Sequence, residues 1–306
     1  MDKNTKKINL IIDTDPGVDD TIALTVALNS EKVDVKLITT TSGNVGIDKT
    51  TRNALYVVEK FGKNVPVCSG AAMPLKRKSE FASFVHGSEG LGGFIPENPK
   101  TKALECDHIE KMYEIIKQNA GDITILELAP QTNLGQLFEK HPDCEKMISR
   151  IIFEGGSPYG KQGVKPHISF NISFDPEAAD IVMKTSTPKA LVPSEMGRYI
   201  ACFSPEQKEI IKNTNKTGAF LFELFDGYGK SFSDTYTQTN DPCAVMYLLY
   251  PEIFSSYPCF VNIDTEILPG KTTIIESKDG NVTFVENVDR EKFFELFIEN
   301  LKNIKI

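Results

Sequence analysis

The sequence predicts an α/β fold: an open, mostly parallel, Rossmann-like sheet flanked by helices, built as a single domain over residues 1–306. Two observations carry that expectation. Strand-like and helical patterns alternate from the amino end onward, the order that generates βαβ units. The strand-like runs are also nearly continuous in apolar character, as in parallel strands buried on both faces. No linker, repeat or low-complexity segment interrupts the chain.

The elements follow in order. Ile8–Ile12 reads as a buried strand, and Thr21–Asn29 as a helix with Asp19 and Asp20 near its amino end, where the helix dipole favours carboxylates. Val33–Thr41 is β-branched and strand-like, and Ser42-Gly43-Asn44 is a turn. Lys49–Phe61 is helical, Val65–Cys68 is a short strand, and His86–Gly93 is a glycine-rich loop without periodicity. Ile123–Leu128 is a second buried strand, leading through Ala129-Pro130-Gln131-Thr132-Asn133 into a helix. Ile148–Phe153 is a strand closed by Gly155-Gly156. Asp175-Pro176-Glu177 opens a helix to Met183, and Lys189–Val192 returns to the sheet. Helical patterns fill Pro205–Asn213, Gly218–Phe225 and Pro242–Leu249. The β-rich pieces Phe260–Leu268, Thr272–Ser277 and Val282–Val288 read as an antiparallel appendage before a last helix, Arg290–Asn303.

Composition narrows the function. The chain is 40% hydrophobic and 25% charged, with a net charge of -8 and scattered basic residues. That disfavours nucleic acid as a partner and fits an enzyme acting on a small molecule. No stretch approaches the roughly 20 apolar residues of a membrane span, and the amino end lacks a signal peptide's apolar region. The six cysteines contain no C-x-x-C pair, so neither zinc nor a redox motif is indicated. A chain of this length buries about three quarters of its unfolded surface and needs no disulfide to fold, and a reducing cytoplasm is the expected setting.

The strongest local signal is Asp13-Thr14-Asp15-Pro16-Gly17-Val18-Asp19-Asp20, with four carboxylates in eight positions directly after the first strand. In open α/β sheets the carboxyl ends of strands are where ligands bind. Like charges this close raise one another's pKa unless a cation or hydrogen-bond donors compensate. No Lys or Arg lies between Lys7 and Lys32. Oxygen ligands on a tight turn suit Ca²⁺ or Mg²⁺ rather than zinc. Helix capping alone would need one acid, not four.

Three enzyme classes begin with an acidic or glycine-rich loop after strand one. A haloacid-dehalogenase phosphatase would show D-x-D-x-[TV], and Gly17 fails the fifth position; Gly121-Asp122 also precedes a strand and lacks a second Asp. A dinucleotide-binding fold would show G-x-G-x-x-G, which is absent there. The third class fits. The acidic loop, Asn44 after Thr39–Gly43, Thr51-Arg52-Asn53-Ala54, His86-Gly87, Pro130-Gln131-Thr132-Asn133-Leu134, Phe170-Asn171, Asp175–Ala179 and Asp241-Pro242-Cys243-Ala244-Val245 occur in order along the chain. Together they closely resemble the inosine–uridine-preferring nucleoside hydrolase family.

The resemblance implies a nucleoside hydrolase fold and a Ca²⁺-dependent ribonucleoside hydrolase that cleaves the N-glycosidic bond, giving ribose and a free base in nucleoside salvage. Asp15, Asp20, the Thr132 carbonyl and Asp241 would hold the Ca²⁺, with both ribose hydroxyls and one water completing its shell. Asp15 would also take that water's proton. Asp19, Asn44 and Asn171 would hydrogen-bond the ribose hydroxyls, Asp13 would support the loop, and His86 is a possible pocket contact. A homodimer or homotetramer is likewise implied.

Read without the resemblance, several of these residues have plainer roles. Asp241 before Pro242 is a natural N-cap with proline at N1, Thr132 can cap its helix, and Asn44 can be a turn residue. Phe222, Phe225 and Tyr228 have helical spacing typical of core.

The chain also departs from the family pattern. Asn240 stands where a histidine often helps protonate the base, and an amide is no general acid near neutral pH. Ser169-Phe170-Asn171 replaces E-F-N, removing a carboxylate expected at the ribose 5′-hydroxyl. Glu154-Gly155-Gly156 replaces M-G-G and adds one nearby, and Gln162-Gly163 replaces G-N. One hypothesis is that Glu154 supplies the carboxylate that Ser169 lost. Its rival is that Ser169, with Lys161 or Lys165, admits a 5′-modified ribose such as a phosphate. A riboside binder without turnover is the alternative from a different class.

Overall fold

The computed structural model describes residues 6–160, 167–232 and 235–306. Lys161, Gln162, Gly163 and Lys165 therefore lie outside the described residues. Strands β1 (Ile8–Thr14), β2 (Val33–Thr40), β3 (Val67–Ser69), β4 (Ile123–Glu127), β5 (Ile148–Glu154), β6 (Lys189–Val192), β7 (Phe254–Ile263), β8 (Thr272–Glu276) and β9 (Val282–Val288) form one sheet. Their order is β3-β2-β1-β4-β5-β6-β9-β7-β8. The run from β3 to β9 is parallel, and β7 pairs antiparallel with both β9 and β8. The chain builds outward from β1 to β3, then returns to the other side of β1 as β4. That reversal leaves a crevice beyond the carboxyl ends of β1 and β4.

The helices are α1 (Val18–Asn29), α2 (Ile47–Lys60), α3 (Ser83–His86), α4 (His108–Gln118), α5 (Thr132–Lys140), α6 (Phe170–Phe174), α7 (Pro176–Lys184), α8 (Pro205–Thr214), α9 (Lys216–Phe232), α10 (Asn240–Leu249) and α11 (Arg290–Asn303). Alternation along the strands splits the core in two. Leu10, Ile12, Ile38 and Leu126 pack toward α1, α2, α9, α10 and α11. Ile11, Leu37, Ile125 and Phe153 pack toward α4, α5 and α7. Helix α1 is buried from Val18 to Leu28. It is apolar around most of its circumference because neighbouring helices cover the side turned away from the sheet.

Three features differ from the sequence expectation. The strand expected at Phe260–Leu268 is shifted: β7 ends at Ile263, because the Asp264 carboxylate accepts from the backbone N–H groups of Glu266, Ile267 and Leu268 and ties them into a turn. The tail is also no appendage, since β9 joins β6 in parallel and extends the main sheet. Helix α4 is an addition; its core face is Ile109, Met112 and Ile116, and Asp107 caps it by accepting from Ile109 N and Glu110 N. The sulfurs of Cys68 in β3 and Cys106 ahead of α4, 38 residues apart in sequence, lie side by side, and Cys144, Cys202, Cys243 and Cys259 are buried thiols.

Candidate active site

The acidic loop leaves the carboxyl end of β1 and runs directly into α1. Asp20 sits at the third helical position and acts back on the loop that precedes it. Its Oδ1 accepts from Thr14 Oγ1 at 2.6 Å and Asp15 N at 3.2 Å. Its Oδ2 accepts from Gly17 N at 3.0 Å and Asn44 Nδ2 at 2.9 Å. Asp13 lies beneath, accepting from Thr39 Oγ1 on β2 at 2.6 Å and Asn133 Nδ2 on α5 at 2.7 Å. In register beside it on β4 stands Glu127, a second fully buried acid.

Asp15 is fully buried, with Oδ2 held by Asn44 N at 2.7 Å and Oδ1 buried without a partner. Asp241 enters from the far end of the chain, in the first turn of α10. It is not the N-cap that the Asp-Pro pair suggests: the helix starts one residue earlier, at Asn240, and Thr239 occupies the cap position. Asp19, Asp20 and Asp241, all buried, each offer an oxygen within 4.8 Å of the others. Thr132 does not cap α5 either, since Gln131 is the cap residue. Its hydroxyl donates to Asp175 Oδ2 at 2.8 Å, which leaves the carbonyl as the atom it can offer a metal.

Burial and mutual repulsion set the electrostatics. Burial first, then Asp20, pushes Asp19 up to about 7. Burial also raises Asp20, Asp15 and Asp241; neighbouring acids add to the rise at Asp15 and Asp241. Burial, then Asp13, raises Glu127, while burial lifts Asp13 to about 6. Acids crowded in this way are suited to a cation. The three clustered donors, Asp19, Asp20 and Asp241, are all oxygen and buried, and Asp15, outside that group, has Oδ1 spare. A hard divalent ion fits.

Above this floor lies a cavity of about 850 Å³, large enough for a nucleoside. Asp19, Asn44, His86, Glu154, Asn171, Asn240 and Asp241, all singled out from sequence, line it. Asp15, Asp20 and Thr132 lie in the floor, fully buried. Two amides are oriented by their partners. Asn44 Nδ2 donates to the Asp15 carbonyl at 3.1 Å and to Asp20 Oδ2. Asn171 Nδ2 donates to the Leu128 carbonyl at 2.9 Å and Glu154 Oε2 at 3.0 Å. Both therefore have Oδ1, an acceptor, left for a ligand. With the Asp19 carboxylate they form an acceptor-rich wall suited to hydroxyl donors.

His86 accepts from Val18 N through Nδ1 at 3.1 Å, so it satisfies the amino end of α1, and burial lowers it to about 3. Its ring is neutral. It lies against Tyr228, with ring centroids 5.3 Å apart, and Tyr228 donates to Asp19 Oδ2 at 3.1 Å. The helical spacing that reads as core holds for Phe225; Tyr228 is equally buried but turns its hydroxyl to the site. Sequence reasoning also missed Glu127 and Ser194, whose hydroxyl donates to Glu154 Oε1 at 2.5 Å. An acid inside an apolar strand was the available signal for Glu127; Ser194 offered none.

Comparisons with known proteins identify the family. A non-specific ribonucleoside hydrolase, RihC, of Salmonella paratyphi C is 33% identical over 279 residues, 90% of each chain. The structure of a plant nucleoside hydrolase, PpNRh1, superposes with a TM-score of 0.92 at 28% identity, covering 97% of this chain and 99% of that one. A purine-preferring ribonucleoside hydrolase from Gardnerella vaginalis gives 0.90 at 25% identity, covering 97% and 98%. Residues 10–295 match the model of one family, and the chain belongs to it: the inosine-uridine preferring nucleoside hydrolases.

Proposed function

We propose that this protein is a Ca²⁺-dependent ribonucleoside hydrolase that cleaves the N-glycosidic bond to give ribose and a free nucleobase. The observation that carries the reading is the juxtaposition of the Asp19, Asp20 and Asp241 oxygens with two asparagines turned to present acceptors. Asp15, Asp20, the Thr132 carbonyl and Asp241 would hold the ion. When bound, Ca²⁺ would seat the vicinal hydroxyls and lower the pKa of a water.

The chain's own groups do the rest. Asp19, Asn44 and Asn171 accept hydrogen bonds from the 2′- and 3′-hydroxyls and fix the ring. Asp15 Oδ1 takes a proton from the attacking water, whose oxygen bonds to C1′ as the electron pair of the C1′–N bond leaves with the base. Attack on the face opposite the base follows inverting glycosidase logic. The buried carboxylates stabilise positive charge as it develops on the sugar. Neither Asn240, an amide, nor His86, a neutral ring with Nδ1 engaged, is suited to protonate the base, so turnover depends on how well the base leaves.

The proposal includes a homodimer or homotetramer in the cytoplasm. Exposed Ile267, Ile275 and Phe260 near the β7–β8 end of the sheet support an assembly surface. The function is tested by incubating the protein with inosine or uridine in phosphate-free buffer. Equimolar ribose and base are expected; release of base only when phosphate is added would replace hydrolysis with phosphorolysis.

A further inference from the structure

Resting on that reading of the site, we propose that Glu154 sets the substrate's 5′ end: it accepts the 5′-hydroxyl of an unmodified riboside and excludes 5′-phosphorylated ones. Glu154 ends β5, the strand next to β4 at the crevice, and the residue is 4% exposed at the cavity wall. Asn171 joins it to the sugar site, because one amide nitrogen donates both to the Leu128 carbonyl just past β4 and to Glu154 Oε2. Moving along the sheet edge from β1, the acids at the diol come first, Asn171 next and Glu154 last. A ribofuranose held at its 2′- and 3′-hydroxyls by the first two groups extends its C4′ substituent toward the third.

At this end of the cavity the acid is Glu154, and residue 169 is a serine. Ser169, at the amino end of α6, is 2% exposed and its hydroxyl accepts from Gly156 N at 2.7 Å. It is small and carries no carboxylate. Glu154 instead carries the acid, held by Ser194 Oγ on one oxygen and Asn171 Nδ2 on the other. Each carboxylate oxygen has a second lone pair for a ligand hydroxyl. Burial, opposed by the Ser194 hydrogen bond, lifts the group to about 8.

Two buried carboxyls, Glu154 and Glu195, disfavour a phosphate at this end of the cavity. Glu195, also buried, stands beside Ser194 with Oε2 unpartnered. Arg77, Lys78 and Arg198 also line the cavity, and Arg77 is committed to Glu177 at 2.7 Å and to the Thr265 carbonyl.

The test compares inosine, 5′-deoxyinosine and inosine 5′-monophosphate as substrates for wild type, Glu154→Gln, Glu154→Met and the double variant Glu154→Met/Ser169→Glu. Wild type should favour inosine over 5′-deoxyinosine by about 10- to 100-fold in kcat/KM and leave the monophosphate uncleaved. Glu154→Met and the near-isosteric Glu154→Gln should erase most of that preference, and the double variant should restore it. Calorimetric binding of a carbon-linked riboside and its 5′-deoxy form, neither of which can be cleaved, should show the same ratio. Release of ribose from inosine by wild type tests hydrolysis separately, and the binding ratio tests Glu154 whether or not turnover occurs. Equal handling of inosine and 5′-deoxyinosine, equal losses on both in Glu154→Met, or turnover of the monophosphate at the nucleoside's rate would overturn the proposal.

Discussion

Asn44 grips Asp15 at two points: its backbone N–H donates to Asp15 Oδ2 at 2.7 Å and its side-chain Nδ2 to the Asp15 carbonyl at 3.1 Å. The consequence is a carboxylate fixed by one oxygen, with the other buried and spare. Asp15→Ala should lower kcat/KM by about 10²–10⁴-fold, the range for losing a general base. The melting temperature without metal should hold or rise, because a buried charge is removed from a crowded site. Activity within about tenfold of wild type would take the proton-accepting role away from Asp15.

Gly43 reaches the same atom from behind. A Cβ there would overlap Asp15 Oδ2, although its φ lies outside the left-handed region, so the backbone itself would tolerate alanine. Gly43→Ala should therefore act by displacing Asp15, costing about 10²-fold in turnover. A variant with wild-type kcat would show that the position of Asp15 is not critical.

Stability should respond to pH through the buried acids. Asp13, Asp19 and Glu154 rise to about 6, 7 and 8 from ordinary values of 3.8, 3.8 and 4.5, with burial the leading cause at each. A raised folded pKa means the folded state holds more protons. The stabilisation is complete below about pH 4 and is lost as pH climbs toward about 8. Metal-free protein should thus melt at lower temperature at pH 8 than at pH 5. Added Ca²⁺ should raise the melting temperature more at the higher pH, where the acids are ionised. Calorimetry showing the opposite order would contradict the acid cluster as a cation site.

Asn240 makes a gain-of-function test possible. Asn240→His places a titratable ring on the cavity wall and should speed inosine cleavage by about 10-fold or more near neutral pH. It should leave p-nitrophenyl riboside, whose leaving group needs no proton, nearly unchanged. Equal effects on both substrates would show that base protonation does not limit the enzyme.

Much of this was legible in the sequence because local chemistry encodes it. Strands β1, β4 and β5 are rich in Ile and Leu, and four acids on one turn admit few explanations. What stayed hidden depends on distant partners. Tyr228 reads as core by spacing, and only its meeting with Asp19, 209 positions away, gives its hydroxyl a role. Glu127 matters through register with Asp13 across two strands. The Asp-Pro pair at Asp241 misleads because the helix begins one residue sooner and turns the carboxylate toward Asp19 and Asp20. The end of β7 was misplaced because Asp264 folds its own downstream backbone into a turn.

The most direct measurement strips the protein of metal with a chelator and follows ribose release from inosine as Ca²⁺ is restored. Activity should disappear on removal and return in full as about one ion binds per chain, with Asp241→Asn failing to recover at the same concentration. Undiminished turnover by the metal-free protein would contradict the account.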